Sequence, residues 1–371
     1  MPIDMKRLDE IRRRRKAKSL HNSLQMLFRT MLDNGASDLH LTSGYKPMLR
    51  ILGDLLPVDF PPLSPETAVQ IFYSLITPEQ RSLFEMTGNL DFSHEIMDGA
   101  RLRVNFMKQY YGMSAVFRLI PDKIPTVEEL NLPQVVKEIA LYRRGLVIVT
   151  GPTGSGKSTT LAAMLNHINE NRPYHIITIE DPIEFSHTQK RSLIDHREVG
   201  THTLTFSGSL RAALREDPDV ILVGEMRDLE TMSLALKAAE TGVLVLTTLH
   251  TNSAAKTVDR IVDSFPAKEQ EQIRSMLADS LKAVIAQQLI KTREGKGRVA
   301  AVEILIATSG LPNIIREGKT GHIPLFIETG KSDKMQTMDT SLISFVRQGK
   351  ITAASAREYA QDLSAFERAG L

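Results

Sequence analysis

The sequence predicts an α/β chain of two domains, a small α+β domain followed by a largely parallel sheet covered by helices on both faces. Three observations carry that reading. At 371 residues the chain exceeds the roughly 250–300 residues at which a single hydrophobic core stops growing. In its second half, apolar runs bounded by turn or helix signals alternate with helical stretches, the pattern of buried parallel strands joined by helices. A glycine-rich loop pattern directly follows the first of those runs. Hydrophobic residues at 42% and charged residues at 24% place the chain with globular rather than disordered proteins.

Residues 1–20 hold eight Lys/Arg against three Asp/Glu, a local +5 that leaves the remainder at −3 within the overall 46 − 44 = +2. We read 1–22 as a basic extension. Its block Arg12-Arg13-Arg14-Arg15-Lys16 is a solvated start to a helix, with contact to anionic lipid or nucleic acid as the alternative. Leu20, Leu24, Leu27 and Met31 then recur at helical spacing, and Gly35 stands where a C-terminal cap belongs.

From Ser37 the period changes. Asp38 to Leu41 alternates, Met48 to Leu52 is apolar-rich, and Gly53-Asp54 is a turn signal able to join two strands. Arg101 to Phe106 alternates again and Ala115 to Ile120 is its predicted partner. These elements place an α+β domain over 23–120. Pro121, Pro125 and Pro133 then interrupt regular structure, so 121–133 is expected to be a linker. The second domain, 134–371, is expected to build its sheet from Leu146–Val149, Ile176–Ile179, Val220–Val223 and Val243–Leu246, with helices such as Leu161–Ile168 and Leu229–Thr241 between them.

Composition excludes several functions. With no cysteine there are no disulfides, no thiolate catalysis, no iron–sulfur cluster and no cysteine-held zinc. No apolar run reaches the roughly 18–20 residues of a spanning helix, and Met1–Leu20 lacks the apolar core of a secretory signal. The chain is therefore expected to be neither secreted by that route nor integral to a membrane.

The residues with the most specific chemistry are Gly151-Pro152-Thr153-Gly154-Ser155-Gly156-Lys157-Ser158, with Thr159 next, after the strand candidate Leu146–Thr150. Strand, glycine loop and helix together make a phosphate-binding P-loop. Glycines let backbone N–H groups converge on phosphate, the helix presents its positive end, and Lys157 neutralises the β/γ oxygens. Ser158 is the expected magnesium ligand, so ATP and Mg2+ are the expected substrate and cofactor.

Val220–Val223 followed by Gly224-Glu225 reads as a second buried strand ending in a carboxylate, which makes Glu225 the candidate for polarising the attacking water. Glycine stands where many P-loop enzymes carry an aspartate. Glu180, Asp181 and Glu184 cluster after Ile176–Ile179. Glu180 is the best placed to position magnesium or water, whereas Asp181 before Pro182 also suits a plain turn. His250 ends another core run, where an imidazole reaches the γ-phosphate or water and reports its loss; a structural histidine is the alternative.

Taken in order, these motifs resemble the secretion-ATPase superfamily and specifically the type IV pilus retraction ATPases of the PilT family. The carrying stretches are Ala36–Leu41, Arg101–Asn105, the P-loop, Ile179–Glu184 (similar to the Asp box), Val220–Asp228 (similar to Walker B) and Thr247–Ala254 (similar to the His box). Gly310–Glu317 is similar to that family's retraction motif, matching at Asn313, Ile315, Arg316 and Glu317, with Pro312 in place of an arginine; Val243 stands where the His box commonly carries another histidine.

The resemblance implies a PAS-like N-terminal domain, a RecA-like ATPase domain with a C-terminal helical part, and a homo-hexamer. It makes Arg101, Arg103 and Arg118 candidates for fingers acting on a neighbour's phosphates, with surface pairing on a strand as the alternative. It implies a cytoplasmic motor, peripheral at the inner face of the cytoplasmic membrane, that drives pilus retraction and twitching motility through an inner-membrane pilus platform protein, alone or beside a paralogous retraction ATPase. Pilus extension, type II secretion and an accessory retraction role are the alternatives. No nucleic-acid partner is expected, because a chain with no tryptophan, 5% aromatics and an acidic body is poorly suited to a translocase.

Overall fold

The computed structural model describes residues 22–51, 53–96, 99–120, 123–295 and 297–371. It divides into two compact units, one ending at Asp122 and the other beginning at Lys123. The basic extension lies outside the described residues except for its last position.

Residues 22–33 of the first unit are helical, and Gly35 follows with φ +58°. Six strands come next: β1 (Asp38–Thr42), β2 (Met48–Ile51), β3 (Asp54–Pro57), β4 (Asn89–Glu95), β5 (Arg101–Gln109) and β6 (Gly112–Ile120). They form one antiparallel sheet in the order β3-β2-β1-β6-β5-β4. The helices Pro65–Tyr73 and Pro78–Thr87 start where Ser64 and Thr77 cap them with their hydroxyls. Alternation along β5 decides which face is covered. Leu102, Val104 and Phe106 are buried among Phe28, Phe72, Phe84, Phe92 and Phe117, while Arg101, Arg103 and Asn105 fall on the opposite face.

The second unit holds β7 (Gly145–Thr150), β8 (His175–Glu180), β9 (Leu193–Glu198), β10 (Val220–Val223), β11 (Leu244–Leu249), β12 (Leu281–Lys291) and β13 (Arg298–Ile306). The sheet order is β13-β12-β7-β11-β10-β8-β9, parallel throughout except for the β12–β13 hairpin. Successive residues feed two separate cores. Leu146, Ile148, Ile221, Val223 and Val245 pack on one face, and Val147, Val149, Val220, Leu222 and Leu246 on the other. This is why the central strands read as continuous apolar runs.

The stretch expected to be a linker does not stay free of the core. Thr126 and Glu129 close a turn, with Thr126 N donating to Glu129 Oε2 at 2.9 Å and Glu129 N to Thr126 Oγ1 at 3.2 Å. Val127 and Leu132 are thereby buried with Val136 and Ile139, so the second unit starts before residue 134.

After the sheet, the C-terminal part is helical: Leu311–Arg316, Ile323–Thr329, Met338–Arg347, Ala353–Arg357 and Leu363–Arg368. Pro312 sits in the first turn of its helix, where a missing N–H costs nothing. Among the described residues no helix is long and apolar enough to cross a membrane.

Candidate nucleotide-binding and hydrolysis site

The carboxyl ends of β7, β8, β10 and β11 lie together, because these strands are parallel neighbours. Loops leaving that edge therefore converge, as ligand-binding loops of open α/β sheets do. From fully buried β7 the chain turns through Gly151–Gly156 into the helix Lys157–Asn171. Two glycines are required by space. A Cβ at Gly151 would lie 2.3 Å from the Gln287 carbonyl oxygen, and one at Gly156, whose φ is +89°, would lie 2.8 Å from Gln287 Nε2.

Polar groups of this loop are turned inward. Lys157 Nζ donates to the carbonyls of Gly151 at 2.9 Å and Pro152 at 3.1 Å, and the buried Ser155 hydroxyl has no hydrogen-bond partner among the described residues. Burial pushes the Lys157 amine below its ordinary pKa, while the charges of Glu225 and Glu184 pull it back up. An ammonium resting on its own loop's carbonyls, an orphaned hydroxyl and glycines with no room for a side chain together fit a polyphosphate. Ser158, half-buried beside Lys157, supplies the hydroxyl type that holds magnesium next to nucleotide.

Glu225 follows β10 and meets two side chains, His250 Nε2 at 3.0 Å from Oε1 and the Arg227 guanidinium, whose Nε is 2.8 Å from Oε2. Gly224 precedes it close beside the end of β8: its N–H donates to the Ile179 carbonyl at 2.8 Å, and an added Cβ would lie 3.3 Å from that same oxygen. Thr248 Oγ1 donates to the Gly224 carbonyl at 2.6 Å, tying the end of β10 to β11. His250 leaves β11 and lines a cleft of about 440 Å³ with Pro152, Thr251, Asn252, Lys256 and Gln288.

Glu180 ends β8, and its Oε2 accepts a long 3.4 Å contact from the Glu184 amide. Burial pushes its carboxyl up to about 7, against the lowering effect of hydrogen bonds from Thr178 and the Glu184 backbone. The turn that follows contains a cis Asp181–Pro182 peptide. It is also held by Glu198, whose carboxylate accepts from the Ile183 amide at 3.1 Å.

Arg101, Arg103 and Arg118 belong to the first unit and share one sheet face. Register aligns Ser93, Arg103, Arg118, Asp38 and Arg50 in a row across five strands. Arg118 Nε is 2.7 Å from Oδ1 of Asp38, a carboxylate only 3% exposed. Arg101 reaches Ser93 Oγ at 3.4 Å. Arg103 has no carboxylate partner among the described residues. Val243 immediately precedes β11, and its carbonyl accepts from Gly145 at the start of β7. It is therefore at the sheet edge opposite His250.

Sequence reasoning missed several residues that shape the site. Arg227 was hidden because its partner Glu225 is only two positions away in an irregular turn. Thr150 was read as plain strand, yet its hydroxyl meets the Thr251 carbonyl at 2.8 Å and the Thr251 amide at 2.9 Å. Gln287 is the third, and its only sequence signal was a pair of glutamines inside the apolar run Ala283–Leu289.

Residues 14–358 match the family described as type II/IV secretion system protein. The chain is 54% identical over 327 residues to the type IV pilus retraction ATPase PilT of Pseudomonas aeruginosa, covering 88% of this chain and 95% of that protein. It belongs to the type II/IV secretion system protein family, in the PilT branch of retraction ATPases. A twitching motility protein of Neisseria gonorrhoeae is 55% identical over 316 residues, 85% of this chain and 84% of its own length. Among solved structures, a crystal structure of the pilus retraction motor PilT with bound ADP matches with a TM-score of 0.86 at 45% identity, covering 93% of this chain and 98% of that one. The two-part α/β architecture is thus that of a PilT-family ATPase.

Proposed function

We propose that this chain binds ATP with magnesium at Gly151–Thr159 and hydrolyses it, as a homo-hexamer, to power type IV pilus retraction. The observation that carries the reading is the meeting of a polyphosphate-fitting P-loop with the Glu225–His250 pair at one sheet edge. Ser158 would hold magnesium, with Glu180 as a further candidate, and the ion when bound would supply neutralisation of the β/γ charge. Glu225 orients and deprotonates the attacking water, His250 holds that carboxylate and senses the γ-phosphate, and Lys157 leaves the loop carbonyls for the phosphate oxygens.

Arg103, with no carboxylate partner among the described residues, is the favoured arginine for a neighbouring subunit's nucleotide, with Arg101 beside it. The motor is cytoplasmic, peripheral at the inner face of the cytoplasmic membrane, and acts on an inner-membrane pilus platform protein, with a paralogous retraction ATPase as a second partner. The deciding biochemical test is ATP turnover by the full-length chain and by Lys157→Ala. Turnover should vanish in the variant; undiminished turnover would remove the P-loop from the account.

A further inference from the structure

β12 runs past the end of β7. Their last paired rung is Ala286 with Thr150, so Gln287 lies alongside the first residue of the P-loop. Its side chain, 2% exposed, uses both polar ends. Nε2 donates to the Ser155 carbonyl at 2.7 Å, and Oε1 accepts from the Thr160 hydroxyl at 2.7 Å. The amide orientation is fixed chemically, because the Ser155 carbonyl only accepts and therefore demands the NH2 group. The backbone of the same residue fills the place of a Gly151 side chain, its carbonyl oxygen 2.3 Å from an added Cβ. One residue thus touches the loop at Gly151 and Ser155 and the helix at Thr160.

We infer that Gln287 is a positioning residue for nucleotide, fixing the P-loop against the first turn of its helix so that the phosphate cradle keeps one shape. The loop is glycine-rich and costly to order. Two hydrogen bonds from a buried amide on a neighbouring strand supply that order before nucleotide arrives, and preorganisation of this kind strengthens binding of the phosphates. The inference rests on the nucleotide reading of the P-loop given above.

Leucine at 287 keeps much of the volume but strands the Ser155 carbonyl and the Thr160 hydroxyl. Glutamate keeps the shape but sets an oxygen against the Ser155 carbonyl and adds negative charge beside the phosphate site. The test uses the full-length chain, with Mg-ADP affinity, the KM and kcat for ATP, and the melting temperature with and without saturating Mg-ADP, for wild type, Gln287→Leu, Gln287→Glu and Thr160→Val. Mg-ADP affinity should weaken about tenfold or more in both Gln287 variants and KM should rise alongside, as expected when buried polar groups lose partners. The Mg-ADP-induced rise in melting temperature should shrink, an effect a purely structural role would not produce. Thr160→Val should show a smaller loss in the same direction and carries the test with Gln287→Glu if the leucine variant does not fold. Unchanged Mg-ADP affinity and KM in the Gln287 variants, with wild type binding normally, would overturn the inference alone. Failure of wild type to bind Mg-ADP would overturn the nucleotide reading and this inference with it.

Discussion

Glu225 Oε1 lies 3.0 Å from His250 Nε2, although the two residues sit on loops after different strands. β10 and β11 are parallel neighbours in strict register from Val220–Leu244 to Val223–Thr247, so residues a little beyond their ends are brought side by side. Arg227 takes the other carboxylate oxygen at 2.8 Å, leaving Glu225 oriented from two sides. A carboxylate held this way keeps a fixed direction for accepting a water proton.

Replacing that carboxylate should separate binding from chemistry. In Glu225→Gln, nucleotide affinity should stay close to wild type while turnover falls by about 100-fold or more, the usual range for a lost general base. Equilibrium binding beside steady-state turnover distinguishes this from loss of affinity.

The pairing with His250 should be visible as non-additivity. If His250 acts by holding Glu225, His250→Ala should slow turnover on its own but add little in a Glu225→Gln background. Full additivity in the double variant would place the two side chains in independent roles.

Glu180 should give the protein a pH signature. The folded carboxyl retains its proton up to about 7, against an ordinary value of 4.5, so the folded state binds more protons in that window and stability falls as pH rises through it. Glu180→Gln removes this loss. The variant should melt near wild type at pH 5 and a few degrees higher at pH 8, as expected for a shift of this size. Where the ionised form assists hydrolysis, the acid limb of wild-type kcat/KM should bend near the same pH and the variant should lack it.

The arginines on the first sheet should divide by partner. Arg118→Ala leaves buried Asp38 without its 2.7 Å partner and should destabilise the chain by roughly 1–2 kcal/mol, limited by the solvent exposure of the arginine. Arg103→Ala should leave melting unchanged and reduce turnover. Mixing Arg103→Ala subunits with Lys157→Ala subunits should restore part of the activity if Arg103 serves a neighbour's nucleotide; no recovery at any ratio would assign it to its own subunit or to none.

What the sequence made legible follows from burial. β7, β8, β10 and β11 are central, parallel and covered on both faces, so their residues are almost uniformly apolar and their ends mark the site. β9 was not legible because Leu-Ile-Asp-His-Arg-Glu sits at an edge and carries polar side chains, among them His196, which bonds Thr178 at 2.8 Å. The prolines of 121–133 signal breaks but do not report that Val127 and Leu132 return to the core. Gly224 looked like a missing acid; the β8 backbone runs close beside it, 3.3 Å from an added Cβ, so a side chain there would be tightly placed. Contacts over long separations, such as Arg118 with Asp38 and Gln287 with Thr160, leave no local pattern to read.

The central claim is that ATP hydrolysis by this chain drives retraction, and the most direct measurement is a count of surface pili together with twitching movement in cells lacking it, complemented with wild type or Glu225→Gln. The account predicts excess, immobile pili in the deletion, rescued by wild type and not by the variant. Bald cells, or unchanged pili and movement, would contradict it.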